Sequence, residues 1–155
     1  MKVNCGPCDG YGFEREFCGC AFPDVARHYR QEPIDDFADG VKKVKELQTA
    51  LGWNPRRPKT KLAMCLFRRV GSRLRYGVSE LRLFISIGTK LDLMGVDFFF
   101  EYGGRVVTVD LTVSDSKPDV RADFVLTRGH FLRDEHYKVG NQISQWLSNG
   151  SNVTF

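Results

Sequence analysis

Along "DDFADGVKKVKELQTALGW" (35–53), Phe37, Val41, Val44, Leu47 and Leu51 recur at helical spacing with charges between them. That pattern predicts an amphipathic helix with one side turned to a core. Residues 23–34 read as a linker leading into it, with His28 a structural residue, and "NPRRP" at 54–58 breaks it. "KTKLAMCLFRRVGSRLRYG" (59–77) then sets Leu62, Cys65, Leu66, Val70 and Leu74 along one side of a second helix. Thr60 suits its N-cap, Gly71 weakens its later part, and Gly77 suits its end. On that apolar side Cys65 is expected to pack as a small hydrophobe. From Ser79 the period changes from helical to alternating. "LRLFISIG" (81–88), "MGVDFFFEY" (94–102), "RVVTVDLTV" (105–113) and "ADFVLT" (122–127) read as four strands. "FLRDEHYKVGNQISQWL" (131–147) closes the pattern as an amphipathic helix, with Phe131, His136 or Tyr137, Val139, Ile143 and Leu147 near one side. The fold expected is α+β: a small mixed or antiparallel sheet of about four strands flanked by helices.

Between the second and third strands stands Gly103-Gly104, a favoured two-residue hairpin loop. With that loop, Asp97 falls directly across from Asp110. One face then carries Val96, Phe98, Phe100, Tyr102, Arg105, Val107, Val109, Leu111 and Val113, a core face apart from Arg105 at the turn. The other carries Asp97, Phe99, Glu101, Val106, Thr108, Asp110 and Thr112. Like charges directly opposed on a sheet destabilise it, and their Cβ atoms stand roughly 4.5–5.5 Å apart. Two carboxylates at that separation can share a divalent cation, Mg²⁺ or Mn²⁺, which takes oxygen ligands together with water and phosphate. The simpler reading is a solvated face of an amphipathic hairpin with no metal.

Composition changes the picture at the N-terminus and in the second helix. The chain has 155 residues, 42% of them hydrophobic and 27% charged, enough apolar mass for one core and at most a small appendage. No run is long enough to span a membrane, and "MKVNCGPCDG" lacks the apolar stretch of a secretory signal, so a cytoplasmic, intracellular and not secreted protein is expected. Four of the five cysteines, Cys5, Cys8, Cys18 and Cys20, fall within the first twenty residues. In a reducing compartment clustered thiols favour metal over disulfides. Two thiolate pairs make a closed tetrahedral Zn²⁺ site, which is structural and not catalytic. "CGPCDGYG" is similar to the Cys-x-x-Cys-x-Gly-x-Gly unit of DnaJ-type zinc-binding regions, although it occurs once and the second pair is Cys-x-Cys. The alternative is a pair of redox thiols. Residues 1–22 are thus read as a zinc knuckle and 23–155 as the α+β domain.

The net charge of +4 is concentrated. Arg56, Arg57, Lys59, Lys61, Arg68, Arg69, Arg73 and Arg75 lie in residues 54–78, which hold no acid; the remaining 15 of the 23 basic residues face 19 acidic ones elsewhere. A single-sign stripe on a helix fits the track of a nucleic-acid backbone, with little base readout, or else an acidic protein surface.

The hairpin resembles the core of PD-(D/E)XK nucleases over residues of about 60–147: an acid in its first strand, Asp97, and an acid in its second, Asp110, within "VDLT". The resemblance implies that Asp97 and Asp110 bind catalytic Mg²⁺ or Mn²⁺ and that a lysine two residues past the second acid orients the attacking water. That position holds Thr112, so Lys117, or Lys90 before the hairpin, would have to reach in. Glu80 is a candidate third acid or a surface charge. The connection "SDSKPDVR" (114–121) is short for a parallel crossover, so the family's crossover helix is expected to be missing. The function expected is a small metal-dependent nucleic-acid phosphodiesterase (hydrolase) of this kind, or an inactive descendant that still binds DNA or RNA. The alternative is a non-enzymatic, zinc-containing adaptor or inhibitor that binds nucleic acid or a host protein. The small compact design suits a phage or mobile-element protein.

Overall fold

The first described helix, α1 (Phe37–Ala50), begins where Asp36 Oδ1 accepts the backbone N–H of Asp39 at 2.8 Å, an N-cap that satisfies one of the helix's free donors. The structure is a computed structural model that describes residues 36–50, 52–58, 61–74, 79–86, 90–112, 121–127, 130 and 135–149, with the backbone alone at 61–63. Residues 1–35 lie outside them, and with them the predicted zinc knuckle. Helix α2 (Lys61–Gly71) follows, then β1 (Arg82–Ile85), the short α3 (Lys90–Leu93), β2 (Phe98–Tyr102), β3 (Arg105–Thr112), β4 (Phe124–Thr127) and α4 (His136–Asn149). The fold is thus α+β, a four-stranded sheet flanked by helices. The second helix ends at Gly71 and not at Gly77, and α3 is an element that the apolar pattern does not announce.

The sheet order is β1-β2-β3-β4. β1 and β2 pair antiparallel, as do β2 and β3, whereas β4 runs parallel to β3. The hairpin register is the expected one, Tyr102 opposite Arg105 through Phe98 opposite Val109. Gly103 and Gly104 have φ of 56° and 79°, the left-handed pair that a two-residue hairpin loop of matching twist requires.

Both faces of the sheet are covered. Leu83, Phe98, Phe100, Val107, Val109 and Leu126 are buried on one face, which α4 covers with Val139, Ile143 and Leu147. Arg105, at the hairpin turn, donates to the Leu147 carbonyl at 2.7 Å and ties the sheet to the end of that helix. Helix α2 packs on α4 behind it. Gly140 makes room there for the Arg69 side chain, whose guanidinium sits 5.7 Å above the Tyr137 ring. The opposite face is not solvated. Phe84 stacks on Phe99 with centroids 5.3 Å apart, and Phe99, Thr108, Asp97 and Asp110 are all buried. Helix α1 approaches this face, where Lys45 and Arg82 both pair with Glu101.

β1 is an edge strand, and unpaired strand edges invite association with other chains. Here the edge is closed from within the molecule. Leu83 donates its N–H to Pro55 O at 2.8 Å and accepts from Trp53 Nε1 at 2.8 Å. Two residues on, Ile85 donates to Gln48 Oε1 at 3.2 Å, and its carbonyl accepts from Gln48 Nε2. Gln48 therefore serves both backbone groups of one edge residue, as a neighbouring strand would. This explains why Gln48 is buried and Leu47, apolar and next to it, is only half-buried. The C-terminus of α1 delivers Trp53 to this edge: Gly52 N–H bonds Thr49 O and Trp53 N–H bonds Gln48 O, the paired bonds of a Schellman ending.

Candidate metal and phosphate site

Asp97 lies one residue before the start of β2 and is held there through its N–H, its carbonyl and its carboxylate. Its N–H donates to Val109 O at 2.9 Å, and Val109 is the partner of Phe98, so two successive residues face one residue of β3, as in a β-bulge. Its carbonyl accepts from Ser86 N at 2.8 Å, and the Ser86 hydroxyl donates to Val96 O at 2.7 Å. Its carboxylate Oδ2 accepts the Leu111 N–H at 2.6 Å. The paired ladder therefore ends at Phe98–Val109, and the direct Asp97–Asp110 pair expected from the loop is replaced by a bulge.

The bulge keeps the two acids together. The Asp97 carboxyl hydrogen-bonds the side chains of both Asp110 and Asp92. Asp92 is the acid that sequence reading missed. It arrives from α3 because the chain reverses after that helix: Gly95 takes φ of 89°, its N–H bonds Asp92 O at 2.9 Å, and Val96 N–H bonds Leu91 O at 3.2 Å. This too is a Schellman ending, with Leu91 and Val96 buried where the motif places its apolar contact. The available signal was the "LDLMGVD" spacing, an acid followed by a Gly-centred reversal and then a second acid.

Two carboxyls in hydrogen-bond contact cannot both be ionised without cost. Burial, first, then the hydrogen bond and the charge of Asp92, push the Asp97 carboxyl from an ordinary 3.8 up to about 9; the Leu111 N–H pulls the other way, and Asp110 adds to the rise. A proton on Asp97 relieves that repulsion, and a cation beside the carboxyls would relieve it in the same way. The cluster's donors are all oxygens, which suits a hard ion such as Mg²⁺ or Mn²⁺. Among the described residues no three His, Cys, Asp or Glu side chains are placed to share one ion, so an ion here could draw on at most two carboxylates of the described chain.

Thr112 stands at the end of β3 on the same face as Asp110, and offers a hydroxyl where the resemblance implies a lysine. Lys90 heads α3, two residues before Asp92. Lys117 lies outside the described residues, as do Cys5, Cys8, Cys18, Cys20, His28, Lys59 and Arg75; of Lys61 only the backbone is described. Glu80 is exposed and precedes β1. In the pairing of β3 with β4, Asp110 faces Val125 and Thr112 faces Thr127, so Thr127 shares the face of the acids.

Among the described residues, the arginines on and just after α2 are not beside the acids. Arg56, Arg57, Arg68, Arg69 and Arg73 are exposed, but α2 packs on α4, on the other side of the sheet from Asp97 and Asp110. Arg56 and Arg57 follow the segment that covers the edge of β1. Cys65 departs from expectation as well. It is exposed, with its Sγ 3.6 Å from His136 Nε2 across the α2–α4 contact, because the apolar side of α2 is set by Leu66, Phe67 and Val70. Among the described residues no helix is long and apolar enough to cross a membrane. Compared with protein-family models, curated proteins and solved structures, the chain matches none of them.

Proposed function

We propose that the carboxyl cluster is a divalent-cation site and that the chain is a small metal-dependent nucleic-acid phosphodiesterase of the PD-(D/E)XK kind, or an inactive descendant that retains binding. The observation that carries this reading is Asp97. It is buried, fixed by hydrogen bonds through its N–H, its carbonyl and its carboxylate, and set against two further carboxyls at a cost that a cation would remove. The element order supports it: α2, β1, the hairpin that carries both acids, β4 parallel to β3, and α4. A bound Mg²⁺ or Mn²⁺ would supply an activated water and offset charge on the phosphodiester. Asp97 and Asp110 hold the ion, Asp92 strengthens the demand for it, and Lys90 or Lys117 stands in for the lysine absent at Thr112. The nucleic-acid strand approaches at the carboxyl end of β3, where Thr112 is only half-buried. The exposed arginines of α2 engage the same polymer only where it bends round the molecule. The four N-terminal cysteines hold structural Zn²⁺.

The test is incubation with single- and double-stranded DNA and RNA, with Mg²⁺, with Mn²⁺ and with EDTA, beside the Asp97→Ala and Asp110→Asn chains. Cleavage that needs the ion and is lost in both variants is the expected result. Metal-dependent cleavage that survives Asp110→Asn would end the proposal. Thr112, which has neither charge nor basicity, favours a second reading: a non-enzymatic, zinc-containing adaptor for nucleic acid or a host protein. Salt-sensitive binding with no cleavage under any ion identifies it.

A further inference from the structure

Gly95 is the pivot of the reversal that brings Asp92 to Asp97, three residues past the one and two before the other. A Cβ at Gly95 would stand 3.6 Å from the Cβ of Arg121, an ordinary van der Waals contact. Arg121 closes the connection from β3 to β4, so the entry to β4 and the reversal that carries the acids lie side by side. Arg121 is exposed. None of the ion pairs among the described residues involves it, and the groups that act on the Asp97 carboxyl are Asp92, Asp110 and the Leu111 N–H. The physical reason is burial: Asp97 and Asp110 are inside, whereas a long arginine keeps its guanidinium in water. Other described arginines are committed elsewhere. Arg82 pairs with Glu101, Arg105 bonds the Leu147 carbonyl, and those of α2 lie across the sheet. Arg121 thus sets a hydrated positive charge next to the turn that joins two of the three acids.

On the strength of the phosphodiesterase reading above, we infer that Arg121 is a substrate-contacting residue: its guanidinium grips, from the solvent side, the phosphate drawn to the ion at Asp97 and Asp110. That phosphate has the ion on its buried side and the arginine fork on its exposed side. A planar guanidinium donates two parallel N–H bonds to phosphate oxygens, and its charge does not titrate at working pH. It brings a fixed positive charge to a site where Thr112 offers none. An arginine on a phosphate releases a counterion, so the contact is sensitive to salt. It also depends on the ion, because the ion brings the phosphate within its reach.

Fluorescence anisotropy of labelled DNA and RNA oligonucleotides over a salt series tests this, with Ca²⁺ as a probe ion that takes oxygen ligands. With Ca²⁺, Arg121→Gln is expected to weaken binding about tenfold at low salt and to lower the slope of log K against log salt by about one. Arg121→Lys keeps the charge without the fork, so it is expected to keep the slope and to bind between the two. In EDTA, or in the Asp110→Asn chain, the loss from Arg121→Gln is expected to shrink to about twofold or less, because both contacts serve one phosphate. Equal affinity of wild type and Arg121→Gln with Ca²⁺, or an unchanged slope, overturns the inference and leaves the phosphodiesterase reading intact. A loss of the same size in EDTA also overturns it, since the arginine then meets a phosphate away from the ion. A wild-type chain that binds neither oligonucleotide in any ion removes the functional reading and this inference with it. Should the variants not fold, phenylglyoxal modification of the wild-type chain, read by peptide mass, decides. Protection of Arg121 by oligonucleotide with Ca²⁺ and not in EDTA supports the assignment. Protection that is absent, or equal in both, overturns it.

Discussion

Replacing Asp97 by asparagine should stabilise this protein, the reverse of what removing a buried, hydrogen-bonded side chain usually does. Asparagine keeps the shape. Its Oδ1 can still accept the Leu111 N–H, and its amide can donate to Asp92 or Asp110 where Asp97 must share a proton with them. The folded-state pKa is raised, to about 9 from 3.8. The folded protein therefore binds more protons than the unfolded chain between those values, and stability falls as pH rises through that window. The contribution of Asp97 is fully present below pH 3.8 and is lost on the way to about pH 9. At pH 7 the loss is at most about 4 kcal/mol, from roughly 1.36 kcal/mol for each pH unit above 3.8. Relaxation and proton sharing reduce it, so Asp97→Asn should gain about 1–4 kcal/mol near neutral pH and about nothing near pH 4. For a domain of this size that is a rise of several degrees in Tm. Thermal melts followed by circular dichroism from pH 4 to pH 8.5 in EDTA measure it. Mn²⁺ should then raise the Tm of the wild-type chain more than that of the variant, because the ion replaces the missing proton. A variant less stable than wild type at every pH, or one with the same pH slope, would refute the linkage.

Three other substitutions probe the remaining parts of the structure. Gln48→Ala strips both partners from the buried Ile85 N–H and C=O and should cost about 2–5 kcal/mol in urea denaturation, with an added tendency to associate as the edge of β1 opens. Gly140→Ala puts a Cβ 2.8 Å from Arg69 Cγ and 3.4 Å from Leu66 Cδ1; it should cost about 1–2 kcal/mol, most of it recovered in a double variant with Arg69→Ala. Arg68→Gln, an exposed change on α2, should leave stability within about 0.5 kcal/mol and lower the salt slope of oligonucleotide binding by about one if α2 touches the phosphate backbone.

The candidate site was only partly legible. Asp97 and Asp110 stand out in the chain because acids are unexpected in an apolar hairpin, and the Gly-Gly loop gives their register. The bulge that carries Asp97 out of the ladder is set by Ser86 and Val109, which reach it from β1 and β3. Asp92 sits in a stretch with too few residues for a periodic signal, and only the reversal at Gly95 turns it toward Asp97.

What the chain by itself determined was local: the periods that separate helices from strands, the hairpin loop and its pairing, and the concentration of positive charge in 54–78. Each depends on residues within a turn or two of one another, where backbone geometry and side-chain spacing suffice. Tertiary structure decided which surfaces were covered. Gln48 went inside ahead of Leu47 because β1 has an edge whose backbone groups need partners. Cys65 faced outward because Leu66, Phe67 and Val70 took the core side of α2. The second face of the hairpin became dry because α1 and Phe84 lie over it. Burial and hydrogen-bond satisfaction are properties of the assembled layers, and they depend on contacts between segments tens of residues apart that no local pattern specifies.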